Sequence, residues 1–560
     1  MRRGAGGSVT APGALAWLLA WLVAALVLIP VVWVVLRAAA ADRDIWRLVA
    51  DPRTLRLLAN TLLLALAVTA AAVILAVPMA WLTTRSDLPG RRFWTVALAV
   101  PLAVPSYLGA YTIIAALGPR GMLQQLAGRF LGLERLPDLY GFGGAALALT
   151  LFSYPYVYLT VRGALLRADP ALEEASRSLG HGPLATFLRV VLPNLRPAIA
   201  SGALLVALYV FSDFGAVSFM QFETFTRAIY TQYLAAFDRT YGAVLSLLLV
   251  ACTALVLAGE AWTRGRARHD RVGPGLQRTP AVVSLGRWRV PALIFCGMVT
   301  FLGIGLPLIV VFYWLFLGSD PLGWSLARQA LGNSLLAGAL AAVATVLMAL
   351  PVARVAARSP SPWARVVESA SYVGYALPGV VVALGLVFFG IHAAWPLYQT
   401  LTMLIFGYVV LFLPQAVGAL RSSFLQINPH LEEAARTLGA GSGRTLRTVT
   451  LPLLGPGAAA AAALVFLTTI KELPATLLLG PTGFRTLATV VWSTTSEVFY
   501  GRAAPAALVL MMVSFLSVAF LLADARPGAL WAPWTARRGR RRHDAAGGDG
   551  GLVPRRAQAV

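Results

Sequence analysis

Charge is scarce in this 560-residue chain: 12% of residues are charged, about half the roughly 25% of an ordinary soluble protein. That scarcity excludes a soluble enzyme and a disordered chain. Cysteine is nearly absent. The two cysteines, Cys252 and Cys296, both lie in apolar runs, which excludes a secreted disulfide scaffold and any CxxC centre. The five histidines, His181, His269, His392, His430 and His543, have no ligand spacing, so no metal site is expected. Lysine occurs once, at Lys471, and the other positive charges are arginines. No GxxxxGK[ST] loop is present, and the Gly547–Gly551 stretch lacks the Lys-Ser/Thr that would follow. The chain is therefore expected to bind no nucleotide or other cofactor itself.

Apolar residues make up 58% of the chain, against about 45–50% in soluble proteins. The 46 basic and 23 acidic residues give a net charge of +23, a value met in nucleic-acid binders. Long apolar runs leave little aqueous surface for a basic patch, so the partner read here is the lipid bilayer and not nucleic acid. A helix that crosses a bilayer needs about 20 mainly apolar residues, because its backbone groups must bond within the segment. Twelve such spans are expected, near 13–37, 57–83, 94–117, 143–166, 194–217, 240–262, 290–317, 330–357, 366–390, 396–420, 454–476 and 503–524. Prolines 101, 105 and 378 interrupt the third and ninth. The first span follows Met1-Arg2-Arg3 and ends in alanines, like a signal peptide, but its apolar stretch exceeds the 7–15 residues of a signal core and reads as a span.

Arginine placement predicts sidedness. The segment 263–289 holds Arg264, Arg266, Arg268, Arg271, Arg278, Arg287 and Arg289 against Asp270 alone, and the tail 525–560 adds Arg537, Arg538, Arg540, Arg541 and Arg542. The positive-inside rule places these segments, the other even-numbered connections and both termini in the cytoplasm. Connections of the opposite set, such as Ala40–Arg56, mix Asp42, Asp44 and Asp51 with arginines.

The chain also repeats itself. Asn60-Thr61, Pro78 and Pro105 recur as Asn333-Ser334, Pro351 and Pro378, each 273 positions on. Glu174, Gly180 and Pro193 recur as Glu433, Gly439 and Pro452, each 259 positions on. The 14-residue difference between the offsets falls in the first half, around 118–142. Six spans per half make the repeats parallel. The expected organisation is a first unit over 1–262, a basic linker over 263–289, a second unit over 290–524 and a basic tail over 525–560.

After the fourth span of each half, within 167–193 and 421–453, comes a short segment with helix start and stop signals. Asp169-Pro170 and Asn428-Pro429 supply a cap followed by a proline suited to the first turn, and Gly180 and Gly439 follow the last turn. The glutamates lie early, where the helix dipole favours negative charge. Leu172, Ala175 and Leu179, and again Leu431, Ala434 and Leu438, form a small apolar face. So short a helix is marginal alone in water, and contacts are expected on both sides: the membrane domain on one, a soluble partner on the other.

The spacing Glu-Ala-Ala, three residues, Gly, nine residues, an aliphatic, one residue, Leu-Pro resembles the EAA loop of bacterial ABC importer permeases. Here it reads Glu174-Ala175-Ser176, Gly180, Val190, Leu192-Pro193, and then Glu433-Ala434-Ala435, Gly439, Val449, Leu451-Pro452. The first copy departs by Ser for Ala, and both carry Val for Ile. The resemblance covers about 55–262 and 328–524. It implies an all-α polytopic membrane protein with two permease units fused in one chain, seated in the bacterial inner membrane. It also implies Glu174, Ala175, Gly180, Glu433, Ala434 and Gly439 as the coupling sites for two ATPase subunits on the cytoplasmic side. An external solute-binding protein would complete the importer, with ATP used by the partners. The segments Phe211–Val217, Lys471–Thr476 and Phe484–Thr489 are most similar to iron(III) transport permeases; thiamine, phosphonate and polyamine permeases share the plan. Twelve spans in two parallel halves also fit a secondary transporter.

Asp213 and Glu472 are 259 positions apart, near the ends of spans five and eleven, with Lys471 beside Glu472. Two readings are open. Charges within spans usually face a cavity or partner, which makes these three candidates for a substrate path; alternatively, the carboxylates bond backbone or dock the binding protein.

Overall fold

The computed structural model describes residues 12–118, 121–132, 139–235, 239–264, 282–318 and 320–524. The basic tail, linker residues 265–281 and parts of the long 118–142 connection lie outside the described residues. Among the described residues the chain is all-α, with one isolated bridge between Ser86 and Val283. Nine helices there are long and apolar enough to cross a bilayer.

Two of the other three expected spans are interrupted. The third is a bent pair, with Arg91–Ala97 and Val100–Ala103 before the Val104-Pro105 break and Ser106–Leu117 after it. The ninth is divided into Pro362–Ser371, Val373–Ala376 and Gly379–Ala393, with its second break before Pro378. A proline disfavours helical geometry in the residue before it, and Val104 and Leu377 both stand in extended backbone. The twelfth is Tyr500–Asp524. Two expected ends move. Spans five and eleven stop at Ser212 and Ile470, earlier than hydropathy implied, and short helices Gly215–Phe219 and Pro474–Leu479 follow. Span eight begins at Pro321, earlier than expected, with Asp320 capping Leu322.

The halves repeat each other in packing. Pro52–Arg85 lies against Phe142–Arg167 and Leu192–Ser212, as Pro321–Arg358 lies against Leu401–Gln426 and Leu451–Ile470. Small residues line these contacts: Ala72, Ala76 and Ala80 in one long helix, Ala337, Ala341 and Ala349 in the other, all buried. In lipid there is little hydrophobic drive between helices, and small side chains let backbones approach closely enough for dispersion to hold them. Leucines such as Leu62, Leu66, Leu340 and Leu347 point outward, where acyl chains would meet them.

The halves are intertwined. Span one, Ala14–Ala39, packs on Pro321–Arg358 and Gly379–Ala393 of the second half, and Trp33 stacks on His392 at 5.8 Å. Span seven, ending in Leu306–Leu317, packs on Ser106–Leu117 of the first half, and the Trp314 indole donates to the Ala115 carbonyl at 2.9 Å. The linker's end is stapled too. Asp87 accepts from the Leu285 N–H at 2.8 Å and the Arg289 guanidinium at 2.8 Å, which hold its carboxyl below the usual aspartate range.

Three π-helical turns occur among the described residues, at Phe187–Val191, Phe301–Gly305 and Leu446–Thr450. Each immediately precedes a Leu-Pro pair: Leu192-Pro193, Leu306-Pro307 and Leu451-Pro452. The proline ring crowds the carbonyl four residues earlier and offers it no N–H, and a widened turn relieves that crowding without ending the helix.

Candidate functional site

The loop helices form as Pro170–Ser178 and Pro429–Thr437. Asp169 accepts from the Ala171 N–H and Asn428 from the His430 N–H, both at 3.0 Å. At the other end the Gly180 N–H donates to Arg177 and the His181 N–H to Ser176; Gly439 and Ala440 do the same toward Arg436 and Ala435. This paired closure needs a left-handed residue, and Gly180 and Gly439 have φ of 85° and 84°.

These helices are inverted relative to an ordinary surface helix. Their leucines face out: Leu179 is 78% exposed and Leu438 88%, and Leu172, Ala175, Leu431 and Ala434 are exposed with them. A carboxylate faces in. It is the first glutamate of each pair, Glu173 and Glu432, that is buried; Glu174 is exposed, and Glu433 is half-buried with Oε2 3.0 Å from His430 Nδ1. Glu173 Oε1 lies 3.1 Å from Nη2 of Arg85, which is itself buried and also donates to the Leu165 carbonyl. In the second half Thr450 Oγ1 donates to Glu432 Oε1 at 3.0 Å, Arg354 supplies the opposite charge, and Arg358 donates to the Ile427 carbonyl at 2.9 Å. The loop motif singles out Glu174 and Glu433, and not Glu173, Glu432, Arg85 or Arg358. The repeat carries the signal for them, since Arg85 and Arg358 are 273 apart and the glutamates 259 apart. A cleft of about 360 Å³ opens beside the first loop helix, bounded by Leu172, Glu173, Val190 and Leu195.

Asp213 and Glu472 sit at the opposite ends of spans five and eleven, remote from the loop helices. Asp213 Oδ1 accepts from the N–H groups of Ala216 and Val217 at 3.0 and 3.2 Å, and its Oδ2 accepts from Ser106. Glu472 Oε1 accepts from the Ala475 N–H at 3.1 Å. Each carboxylate thus sits at the start of a short helix, where the orphan N–H groups and the dipole favour it. Lys471, half-buried, ends span eleven with its N–H on the Thr468 carbonyl.

The repeat places Gly379 where Ser106 stands, and Glu472 where Asp213 stands. The pairs compensate in size. A Cβ on Gly379 would come within 2.9 Å of Glu472 Oε1, so the longer carboxylate occupies the room the serine side chain takes in the other half. Gly379→Ser alone is expected to push Glu472 off its cap and lower the melting temperature. Gly379→Ser with Glu472→Asp is expected to recover most of that loss, read as a double-mutant cycle in thermal unfolding. Additive effects would show that the pairs are independent.

The repeated Asn-Thr/Ser pairs are explained here as well. Asn60 and Asn333 donate to the carbonyls of Glu223 and Arg485, both at 2.9 Å, and Thr61 and Ser334 accept from the N–H groups of Phe225 and Leu487. They fasten the helices Phe225–Ala235 and Leu487–Ser496 to the long spans in both halves.

A family profile described as "Binding-protein-dependent transport system inner membrane component" matches residues 72–268 and again 349–526. The chain is 37% identical over 500 residues to the Fe(3+)-transport system permease protein FbpB 2 of Haemophilus influenzae, covering 88% of this chain and 95% of that one. It is 24% identical over 506 residues to the ferric transport system permease protein FbpB of Actinobacillus pleuropneumoniae, covering 86% and 72%. The molybdenum transport system permease protein ModB of Escherichia coli is 30% identical over 230 residues, 38% of this chain and 96% of ModB. With the family's region present twice, once in each set of spans, this chain belongs to the binding-protein-dependent inner-membrane components and is an ABC importer permease.

Proposed function

We propose that the chain is the translocation subunit of a ferric iron importer, fed by an external binding protein and driven by two separate ATPase subunits. The observation that carries the ATPase half of this reading is the inversion of both loop helices. A helix that buries its carboxylate and exposes its leucines leaves apolar area in water, at about 25 cal/mol per Å². Two copies doing so in register argue for two matching grooves on soluble partners. Each loop helix is then a knob: Glu173 or Glu432 roots it in the membrane domain, and Glu174-Ala175 or Glu433-Ala434 meets the ATPase on the cytoplasmic side. Closure of the ATPase pair moves the rooted helices, and the movement passes through Arg85 and the Arg354–Arg358 segment into the long spans.

Ferric iron as cargo is supported by the similarity to the Haemophilus permease along nearly the whole chain. Asp213 and Glu472 act in this reading by holding the two short helices at the pathway, with Lys471 next to one of them. Gly215 lies against Tyr107 and Leu473, so the short-helix regions of the two halves meet there. The test is uptake into proteoliposomes that hold the chain with its ATPase and binding protein. ATP-dependent accumulation of radiolabelled ferric iron, with none of thiamine or molybdate, is expected. Accumulation of another solute in place of iron would overturn the cargo, and gradient-driven uptake without ATP would overturn the mechanism.

A further inference from the structure

Where the third and seventh spans begin, on the side of the loop helices, two segments far apart in sequence are held together. Asp87, besides its bonds to Leu285 and Arg289, accepts from the Ser284 hydroxyl at 3.3 Å. The Val283 N–H donates to the Arg85 carbonyl at 2.8 Å, and the Asp87 N–H to the Val283 carbonyl at 3.1 Å. Further into the two spans, a Cβ on Gly297 would meet the Trp94 ring at 3.8 Å. Gly286–Trp288 is thus fastened beside the turn from which Arg91–Ala97 starts.

The corner so formed is basic. Segments 86–97 and 283–298 contain Arg91, Arg92, Arg287 and Arg289 against one acid, Asp87. Asp87 is taken by Arg289. The guanidinium groups of Arg91, Arg92 and Arg287 are exposed and make no ion pair or hydrogen bond among the described residues. Like charges gathered in this way repel one another and add nothing to packing. The fold does not require them either: the positions 273 on from Arg91–Trp94 are Ala364, Arg365, Val366 and Val367, which keep one arginine and no aromatic ring.

The corner is also apolar on its membrane side. Phe93 and Trp288 are each 63% exposed beside the arginines. Val290, Ile294 and Met298, four apart on one face of the helix Arg289–Thr300, continue the exposed surface along span seven. A soluble anion would match the arginines and leave this strip bare, and an acidic protein surface could not follow the strip into the bilayer. The molecule that complements both parts has an anionic head and an acyl tail.

We propose that this corner binds one anionic phospholipid, with Arg91, Arg92 and Arg287 around its phosphate, Trp288 at the interfacial level and an acyl chain along Val290, Ile294 and Met298. In the orientation proposed above, the lipid belongs to the cytoplasmic leaflet. One consequence rests on the coupling proposed there: a headgroup on Arg287 tightens the fastening at Asp87, two residues from the Arg85 that roots the first loop helix. The binding itself does not depend on that coupling.

Native mass spectrometry of the full-length chain in neutral detergent tests it. Dioleoylphosphatidylglycerol is the probe, dioleoylphosphatidylcholine the zwitterionic control and glycerol phosphate the control without tails. The first phosphatidylglycerol is expected to bind about tenfold or more tightly than phosphatidylcholine. Arg92→Gln and Arg287→Gln are each expected to weaken it about fivefold, and the two together about thirtyfold. Arg92→Lys with Arg287→Lys should keep most of the affinity. Arg365→Gln, the same change of charge in the other half, should leave it unchanged. Lipid-free thermal unfolding of the paired Gln variant should match the wild type. Equal affinity for the two lipids, equal weakening by Arg365→Gln, or as large a loss in the Lys pair as in the Gln pair overturns the proposal. So does glycerol phosphate binding as tightly as the lipid, since the site would then serve a soluble phosphate. A Gln pair that keeps its lipid and loses its ATPase overturns it too, because the arginines would then meet a protein. Neither ATPase nor cargo enters the lipid titration, so a wrong transport reading leaves its result intact.

Discussion

Glu173→Ala is expected to loosen the Pro170–Ser178 helix by about 3–5 kcal/mol, because it strands the Arg85 guanidinium, which is 1% exposed, without its counter-charge. The Glu173 side chain is 11% exposed, so solvent screens the pair little. Amide hydrogen exchange over 169–181 should accelerate, and ATP-coupled uptake should fall to near background with the protein still inserted. Glu174→Ala makes the contrasting prediction. Glu174 is exposed and touches nothing that roots the helix, so exchange should stay as in the wild type. Coupling should nevertheless drop about tenfold, if this residue is a contact worth 1–2 kcal/mol at the ATPase. Accelerated exchange in Glu174→Ala, or normal exchange in Glu173→Ala, would reverse the two assignments.

Gly385→Val is expected to prevent stable assembly of the two halves. A Cβ at 385 would stand 2.3 Å from the carbonyl oxygen of Pro30 in span one, and nearby backbone atoms leave no room to rotate away. Overpacking against movable side chains costs about 1–3 kcal/mol. Here the obstacle is backbone, so the effect should lie at or beyond the upper end of that range. Thermal unfolding followed by size exclusion should show a large drop in melting temperature and yield. Gly332→Ala is the control: it sits in the long helix Pro321–Arg358 with nothing within 4 Å, and alanine favours a helix by up to about 1 kcal/mol. Equal melting of Gly385→Val and wild type would mean that span one does not cross span nine so closely.

The two predictions draw on different depths of information. The loop helices were legible because their ends are local: Asp169 and Asn428 cap the start, Gly180 and Gly439 close the end, and both copies repeat. Which glutamate of Glu173-Glu174 turns inward was not legible, since the choice depends on Arg85, far away in the chain at the end of another span. Hydropathy found the apolar segments but overran the ends of spans five and eleven. The short helices Gly215–Phe219 and Pro474–Leu479 are as apolar as the spans before them, and the breaks at Asp213 and Lys471–Leu473 are too brief to lower a window average. The path candidates Asp213 and Glu472 were found as equivalent charges, yet their use as caps needed Ser106 and Gly379 from the third and ninth spans.

By itself, the sequence determined that the chain is a membrane protein, that it contains two related sets of apolar segments, and where both loop helices start and stop. Run length, caps and repetition are all readable within a short stretch of chain. Only the tertiary structure decided that spans one and seven pack on the opposite half, and that Glu173 and Glu432 root the loop helices. Each of those depends on which distant residues the packing brings within contact distance, and a periodic pattern of apolar residues carries no record of that.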